Sequence, residues 1–237
     1  MLTLQVPPGF IWRAGQYLAL PAAGETLYLS IANHCDGSGR VELVVALPSE
    51  LAAPGNALVG PDYEAAGLER RAAVRLAALT LGGRLRIEGP HGSMYGWDCH
   101  ATDDLATETR VLVSHGTGIA PMRALWQEAR QRNQPTLLLQ GARTAADLIF
   151  SNEFSAAALH ASPSTTHYWP TLTVPPDGWT GRYGRVQRTF SELAAWVQHK
   201  RVAVFACGRQ AMVDDLKRHL VDSGAIAEDK LQSEAHG

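Results

Sequence analysis

The sequence has few cysteines, no long apolar run and no targeting segment at its start. Its three cysteines, Cys35, Cys99 and Cys207, lie far apart, which argues against a disulfide framework and against a cysteine-ligated zinc or iron–sulfur site. No apolar stretch approaches the ~20 residues of a membrane span. The amino terminus lacks the basic and apolar parts of a signal peptide. These absences predict a cytoplasmic protein without a metal site.

Charge of one sign is also lacking. The chain of 237 residues has 21 Lys and Arg against 23 Asp and Glu, a net charge of −2. This balance argues against nucleic acid or an anionic membrane as a partner, because neither would be attracted. A hydrophobic content of 46% is that of a globular chain, and the length allows one large domain or two smaller ones.

The first hundred residues have the pattern of short β-strands separated by Gly- and Pro-rich turns. The predicted strands are Tyr17–Leu20, Leu27–Ala32, Val41–Ala46 and Arg84–Glu88. Closely spaced short strands favour a small antiparallel barrel or sandwich. The stretch Pro48–Arg71 breaks this rhythm and is predicted to be a long loop or a helical insertion.

After a polar linker at Asp98–Thr109, strands and helices alternate. The predicted strands are Arg110–Ser114, Thr136–Gln140, Tyr168–Val174 and Val202–Ala206, and the predicted helices are Pro121–Arg132, Ala145–His160, Thr189–His199 and Gln210–Asp222. Alternation of this kind predicts a parallel sheet with helices on both faces. The chain is therefore predicted to have two domains, a β domain at 1–100 and an α/β domain at 108–237.

The segment Gly116–Pro121 joins the first predicted strand of the α/β domain to its first helix. Glycines at 116 and 118 leave the backbone amides open to a phosphate, and a helix start adds the positive end of its dipole. Two glycines in a β–α turn also occur for steric reasons alone, so the motif by itself is weak evidence for a nucleotide. Pro121 shows that it is not the six-residue Rossmann fingerprint.

Seven motifs in order resemble those of the ferredoxin–NADP reductase superfamily, from about residue 9 to residue 234. Each is short, but their order covers nearly the whole chain. They are Arg13-Ala14-Gly15-Gln16-Tyr17, Ser30-Ile31-Ala32-Asn33, Gly89-Pro90-His91-Gly92, Gly116-Thr117-Gly118-Ile119-Ala120-Pro121-Met122, Trp179-Thr180-Gly181-Arg182, Ala206-Cys207-Gly208 with Met212, and Ser233-Glu234-Ala235-His236.

The resemblance implies a flavin, FAD or FMN, held between an antiparallel β-barrel and the nucleotide domain. Ser30 would lie beside flavin N5, although a serine on a solvated strand face is the plain alternative. Glu234 would assist proton supply to reduced flavin, the alternative being a frayed, solvated tail. The residues implied to contact flavin are Gln16, Tyr17, Tyr28, Leu29, Ser30, Ile31, Ala32, Asn33, Gly89 and Gly92.

The same resemblance implies a site for NAD(P)H. Cys207 would lie against the nicotinamide, although a buried small residue is the alternative, and Thr117 would cover the nicotinamide amide or the pyrophosphate. The residues implied to bind the nucleotide are Gly116, Thr117, Gly118, Ile119, Ala120, Pro121, Gly141, Arg143, Cys207, Gly208 and Met212. The guanidinium of Arg143 suits a 2′-phosphate and so favours NADPH, although similar reductases that use NADH share it. Asp147 is expected to start a helix.

The chain departs from the family pattern at its flavin strand. The family reads Arg-x-Tyr-Ser, with the Arg on a flavin phosphate, whereas this chain reads Leu27-Tyr28-Leu29-Ser30. The cation is missing, and the tyrosine is shifted by one residue, which moves a strand side chain to the opposite face. Losing an Arg–phosphate bond removes roughly 1.5–3 kcal/mol, or about ten- to hundredfold in affinity.

Three further departures concern the phosphate turn, the glycine loop and the first strand. Ala72–Arg75 replaces a turn that carries a hydroxyl in the family, and Arg71 or Arg75 would have to compensate. His115 replaces a small residue before Gly116. The chain also begins at what resembles the family's second barrel strand, so the usual first strand is expected to be missing; whether another chain supplies it stays open.

Two functions of different class follow. The first is an NAD(P)H-dependent oxidoreductase that passes hydride to flavin, and electrons on to free flavin or to an iron–sulfur or haem partner. The second is a non-catalytic nucleotide-sensing or assembly subunit of a larger redox complex. A short-chain or 2-hydroxyacid dehydrogenase fits poorly, because those enzymes carry the glycine motif near the amino terminus and here a β-rich segment precedes it. A hydrolase fits poorly as well, because this sequence has no Gly-x-Ser-x-Gly elbow.

Overall fold

The computed structural model describes residues 1–22, 25–46, 76, 80–94, 108–160 and 166–236. In the amino-terminal part, the described residues form five short strands: β1 (Leu2–Gln5), β2 (Tyr17–Ala22), β3 (Glu25–Ser30), β4 (Arg40–Leu43) and β5 (Glu88–His91). They pair antiparallel in two small sheets, of order β1-β4 and β3-β2-β5, and a single bridge from Ile31 to Leu43 links the two.

Apolar side chains between these two sheets form one core. The buried members are Val6, Trp12, Leu18, Leu20, Ile31, Val41 and Leu43. Trp12 is fixed by its indole Nε1, which donates to the carbonyl oxygen of Asn33 at 2.9 Å. Since a strand exposes alternate residues to opposite faces, β3 turns Leu27 and Leu29 towards this core and leaves Tyr28 and Ser30 on the other face.

Six parallel strands form the carboxyl-terminal sheet. They are β6 (Thr109–His115), β7 (Thr136–Ala142), β8 (Thr166–Leu172), β9 (Arg182–Tyr183), β10 (Val202–Arg209) and β11 (Leu231–His236). Their order is β11-β10-β6-β7-β8-β9. The chain moves outward from β6 through β7 and β8, then returns to place β10 on the other side of β6. Such a reversal opens a crevice at the carboxyl ends of the strands, which is the usual ligand site in open parallel sheets.

Helices cover both faces of this sheet, as predicted. The helices are α1 (Ile119–Gln131), α2 (Ser151–His160), α3 (Phe190–Val197) and α4 (Gln210–Lys217), the last continued by a π-helical turn at Arg218–Asp222. Alternate side chains of β6 pack against the helices on opposite faces of the sheet. Leu112 packs with α1 and α2, whereas Val111 and Val113 pack with α3 and α4.

The fold class predicted from the sequence is confirmed, and four local predictions are wrong. β5 is Glu88–His91 rather than Arg84–Glu88, because its register is set by pairing with β2. β1 was not predicted. The helix predicted over Ala145–His160 is split by Phe150, whose φ is +64°. The frayed carboxyl terminus is instead β11, which pairs in parallel with β10.

Several predictions fall outside the described residues. They are the insertion at Pro48–Arg71, the flavin phosphate turn at Ala72–Arg75, Cys99, and most of the linker at Asp98–Thr109. The domain bounds 1–100 and 108–237 therefore stay a prediction. Among the helices formed by the described residues, none has the length and apolar character needed to cross a bilayer.

Candidate functional site: two cavities at the carboxyl ends of the parallel strands

The glycine loop lies where the strand order reverses. β6 ends at His115, residues Gly116–Gly118 form a 3₁₀ turn, and α1 begins at Ile119. The amide of Ile119 is taken up by the 3₁₀ turn, where it donates to the carbonyls of Gly116 and Thr117, but the positive end of the α1 dipole still favours an anion at this point. Thr117 is half-buried in this turn, whereas Ile119, Ala120 and Pro121 point their side chains into the interior.

The two glycines of the loop, Gly116 and Gly118, are glycine for different structural reasons. A Cβ at Gly118 would lie 2.1 Å from the carbonyl oxygen of Cys207, so only glycine lets the loop pack onto the end of β10. Gly116 has φ +59°, and no atom lies within 4 Å of the Cβ position. Gly118 is thus explained by packing, while Gly116 leaves open space over the loop.

Beside this loop is a cavity of about 370 Å³, here called the arginine cavity. The predicted nucleotide residues Gly141, Arg143 and Met212 line it. Gly208 packs at its wall, since a Cβ there would lie 2.9 Å from Cε of Met212. The structure adds two residues that the sequence reasoning missed, Arg185 and Arg209.

Positive charge dominates the arginine cavity. Among the described residues that line it, three are arginines and none carries a carboxylate. Burial and the nearby charges of Arg209 and Arg185 lower the pKa of His115, which also lines the cavity. Asp147 does not reach in, because its carboxylate accepts from the backbone N–H and the hydroxyl of Thr144 in a capping box, as its predicted place at a helix start requires.

A second cavity, of about 230 Å³, is here called the aromatic cavity. It is lined by Tyr17, Tyr28, Ser30, Glu234 and Ala235. The rings of Tyr17 and Tyr28 meet edge to face at 5.6 Å. Burial raises the pKa of Glu234. A wall of two tyrosine rings beside a hydroxyl and a carboxyl suits a planar aromatic ligand with polar edges.

The turn Gly89–Gly92 supports this cavity from behind. A Cβ at Gly92 would lie 3.0 Å from the ring carbons of Tyr17, so this glycine lets the ring lie flat against the backbone. Gly89 has φ +126° and packs against the carbonyl of Tyr17. His91 places its ring 5.8 Å from that of Tyr17.

The other residues that the resemblance implied for flavin turn their side chains away from the aromatic cavity. Leu29 and Ile31 pack in the amino-terminal core. Gln16 accepts from the N–H of Arg13 at 2.7 Å. Asn33 is bonded to the carbonyl of Arg40 and the N–H of Glu42. A flavin contact from these residues would have to come from backbone atoms.

Tyr28 lies on the opposite face of β3 from Leu29, as strand alternation predicts. The face with Tyr28 also carries Ser30 and lines the aromatic cavity. Leu27, which stands where the family pattern has its cation, packs against the amino-terminal core.

Cys207 lies between the two cavities. It pairs with Ser114 of β6 on one side and with Glu234 of β11 on the other. Its side chain is fully buried, and both burial and the charge of Glu234 raise the pKa of its thiol. The thiol is therefore protonated and packed, which matches the alternative of a buried small residue. A contact with nicotinamide stays a prediction.

One side chain of α1 joins the two halves of the protein. Arg123 donates to the carbonyl of Ala32 at 3.0 Å, to Glu42 at 2.6 Å and to Glu153 at 2.7 Å. Beside it, the N–H of His34 donates to Gln127 at 3.1 Å. Nothing in the local sequence pattern of Arg123 indicates this role, since its partners are distant in sequence.

Comparison with known proteins agrees with this geometry. Residues 112–218 match the family model of the oxidoreductase NAD-binding domain. A reductase of Yersinia pestis, CDP-6-deoxy-L-threo-D-glycero-4-hexulose-3-dehydrase reductase, is 26% identical over 99% of this chain. The chain spans 63% of the length of that relative.

Solved structures share the arrangement of both halves. The cytochrome P450 reductase GcoB of Amycolatopsis superposes with a TM-score of 0.71 at 26% identity, over 95% of this chain and 61% of that one. A ferredoxin NADP+ reductase of Neisseria gonorrhoeae with bound FAD and NADP has the same fold, with a TM-score of 0.69 at 17% identity over 98% and 90% of the two chains. Residues 112–218 thus match the oxidoreductase NAD-binding domain, and the chain as a whole is similar in sequence and fold to reductases of the ferredoxin–NADP reductase type.

Proposed function

We propose that this chain is an NAD(P)H-dependent flavin oxidoreductase that passes electrons to free flavin or to a separate redox protein. The observation that carries the proposal is the adjacency of the two cavities. Cys207 and Glu234 are register partners on β10 and β11. Beyond them, β10 leads to Arg209 in the arginine cavity, while β11 carries Glu234 into the aromatic cavity.

The residues of the aromatic cavity fit a flavin ring. Tyr17 and Tyr28 offer ring surfaces, and Ser30 offers a hydroxyl at the same wall. A bound flavin, FAD or FMN, would supply the redox chemistry by accepting a hydride from NAD(P)H and releasing electrons singly or in pairs. The protein supplies position and polarity around it.

Three side chains would then have distinct tasks. Ser30 would hold a hydrogen bond at the edge of the ring. Glu234, whose pKa is raised by burial, would keep a proton at higher pH than an exposed carboxyl and so act as a proton store beside that edge. Cys207 would leave a small, uncharged surface between the cavities, because its thiol stays protonated.

The acceptor is proposed to be free flavin or a separate iron–sulfur or haem protein. In the described part of the chain, no three His, Cys, Asp or Glu side chains come together as a metal site would require. The similarity to the Amycolatopsis cytochrome P450 reductase favours a protein acceptor, and the loss of the phosphate cation at Leu27 favours a loosely held, exchangeable flavin.

Oxidation of NADH and NADPH by the purified protein, with and without added FMN or FAD, tests the proposal. We expect nicotinamide oxidation that depends on flavin and saturates with it. The absorption spectrum of the protein as purified shows whether flavin is retained. Absence of oxidation with either nucleotide and either flavin, together with no bleaching of bound flavin, would contradict the proposal.

A second candidate is a nucleotide-sensing or assembly subunit without flavin. The observation in its favour is that Leu27 and Leu29 face the core, so β3 directs no cation towards flavin phosphates. Binding of adenine nucleotides without any flavin binding, measured by calorimetry, would support this candidate over the first.

A further inference from the structure

His115 is the last residue of β6 and lies between β7 and β10, where the strand order reverses. Its register partner on β7 is Gly141, and on β10 it is flanked by Gly208, which follows the partner of Ser114. Cβ atoms at these two glycines would lie 3.5 Å from Cδ2 and 3.3 Å from Cβ of His115. Glycine on both neighbouring strands therefore leaves the imidazole as the one side chain at this level of β6, β7 and β10, where it lines the arginine cavity.

The charged groups around this imidazole, among the described residues that line the cavity, are all cations. Arg209 ends β10, Arg185 lies between β9 and α3, and Arg143 follows β7, while α4 contributes only uncharged side chains. None of these lining residues offers a carboxylate to stabilise an imidazolium ion. Burial, and then the charges of Arg209 and Arg185, lower the pKa of His115 below its ordinary value of 6.5, so without a bound anion the ring is neutral at neutral pH.

An anion in the cavity reverses this balance. A phosphate group offsets the guanidinium charges and favours a proton on the imidazole, because opposite charges at short range stabilise the charged form. The protonated ring has a donor on each of its nitrogens, so it can give the anion one more hydrogen bond than the neutral ring. His115 stands where the family pattern has a small residue, and a small side chain offers no such proton site.

We propose that His115 takes up a proton from solvent when the anionic nucleotide binds, so that the affinity for the nucleotide falls as pH rises through neutrality. The inference rests on the proposed function for the identity of the ligand, a nicotinamide nucleotide. By linkage, a ligand that raises the pKa of a group binds most tightly to the protein in which that group is protonated. The affinity is therefore constant below the pKa of His115 in the free protein, falls between the free and the bound pKa, and is constant again above the latter.

Calorimetric titration with NAD+ measures this coupling without flavin or turnover, and the pyrophosphate of NAD+ does not itself titrate near neutral pH. Binding heats in two buffers of different ionisation enthalpy give the number of protons taken up. At about pH 7 we expect the wild type to take up a substantial fraction of a proton per nucleotide, and its affinity to fall about three- to tenfold between about pH 6 and about pH 8. His115→Gln should take up no proton and lose the pH dependence.

His160→Gln is the matched control, because His160 is exposed at the end of α2 and is not among the residues that line the cavity. It should keep the proton uptake and the pH dependence of the wild type. A second measurement needs no variant and so does not depend on how a variant folds. The ring-proton resonance of His115 in the wild type, followed by NMR with and without NAD+, should titrate at higher pH in the complex.

Binding of NAD+ without proton uptake, or uptake that persists in His115→Gln, would overturn the inference and leave the proposed function standing. An unchanged titration midpoint of His115 in the complex would overturn it as well. Should only NADP+ bind, the difference in proton uptake between the wild type and His115→Gln decides the inference in the same way. If the wild type binds neither nucleotide, the proposed function fails and this inference fails with it.

Discussion

The arginine cavity and the aromatic cavity are built in opposite ways. The arginine cavity lies at a strand-order reversal, beside Gly118 and Gly208, whose Cβ positions are filled by the protein itself, and three arginines line it. The aromatic cavity has no cation among the described residues that line it and depends on two tyrosine rings, a hydroxyl and a carboxyl. The arginine cavity is thus fixed largely by backbone packing, whereas the aromatic cavity is formed mainly by side chains.

The largest expected effect is a loss of stability when the glycine loop can no longer pack against the end of β10. Gly118→Ala places a methyl group where the carbonyl oxygen of Cys207 lies 2.1 Å away. Because the backbone of β10 cannot shift without loss of its strand pairing, we expect the free energy of unfolding to fall by about 3 kcal/mol. Urea denaturation of the variant and the wild type measures this difference.

Gly116→Ala is the matched control for that loss. It meets no atom within 4 Å and should lose only about 1 kcal/mol, the strain of a non-glycine residue at φ +59°. Equal losses in the two variants would show that the loop is not held against β10.

The next effect concerns the contacts of Arg123, which connect α1 to the amino-terminal part of the chain. Arg123→Met removes the partner of Glu42 and Glu153 and should lower the unfolding free energy by about 2 kcal/mol, since two partly buried carboxylates lose their counter-ion. Arg130→Met on the same helix removes an exposed arginine and should lose about 0.5 kcal/mol or less. A wild-type unfolding curve for Arg123→Met would mean that the halves are held together by other contacts.

The flavin side should respond most in ligand affinity. Tyr17→Leu removes the ring that contacts Tyr28, His91 and Gly92, and we expect about tenfold weaker flavin binding by fluorescence quenching. Tyr183→Leu removes an exposed tyrosine on β9 and should leave flavin affinity unchanged. Unaltered affinity in Tyr17→Leu would place the flavin elsewhere.

The smallest expected effect is a pH dependence. Because burial raises the pKa of Glu234, the unfolded chain ionises first. Stability from this residue is therefore present below pH 4.5 and falls as pH rises through the raised pKa. Glu234→Gln should remove that fall from the stability profile.

For Glu228, the expected change of stability with pH has the opposite sign. Its pKa is lowered by the hydrogen bond to Lys217, so its contribution is present above pH 4.5 and is lost as pH falls through the lowered pKa. Glu228→Gln should flatten the acid side of the profile. If both variants changed the same side, the environment assigned to Glu234 would be wrong.

The sequence predicted features that depend on local pattern. Alternating strands and helices identified the parallel sheet, and the glycines of the loop marked the end of β6. The position of Arg185 and Arg209 in the lining of the arginine cavity was missed, because each is an isolated arginine brought to that cavity from a distant segment. The place of β5 was missed for a similar reason, since its pairing with β2 decides its register.

The tyrosine of β3 shows what strand alternation can predict and what it cannot. Alternation put Tyr28 and Leu29 on opposite faces, as the structure has them, but it does not say which face meets the aromatic cavity. The apolar core claimed Leu27 and Leu29, which left Tyr28 facing the cavity beside Ser30. Burial of leucine thus decided the orientation of the strand.

α1 begins at the glycine loop and, little more than one turn later, carries Arg123 to the carbonyl of Ala32, two residues beyond Ser30. One rigid helical turn therefore acts as a spacer between the glycine loop and the end of β3, and so between the two proposed cofactor positions. In the proposed reaction, the ionic contacts of Arg123 would help to fix the separation of hydride donor and acceptor. Because these ion pairs are partly buried, salt screens them only weakly, and the spacing should persist at high ionic strength.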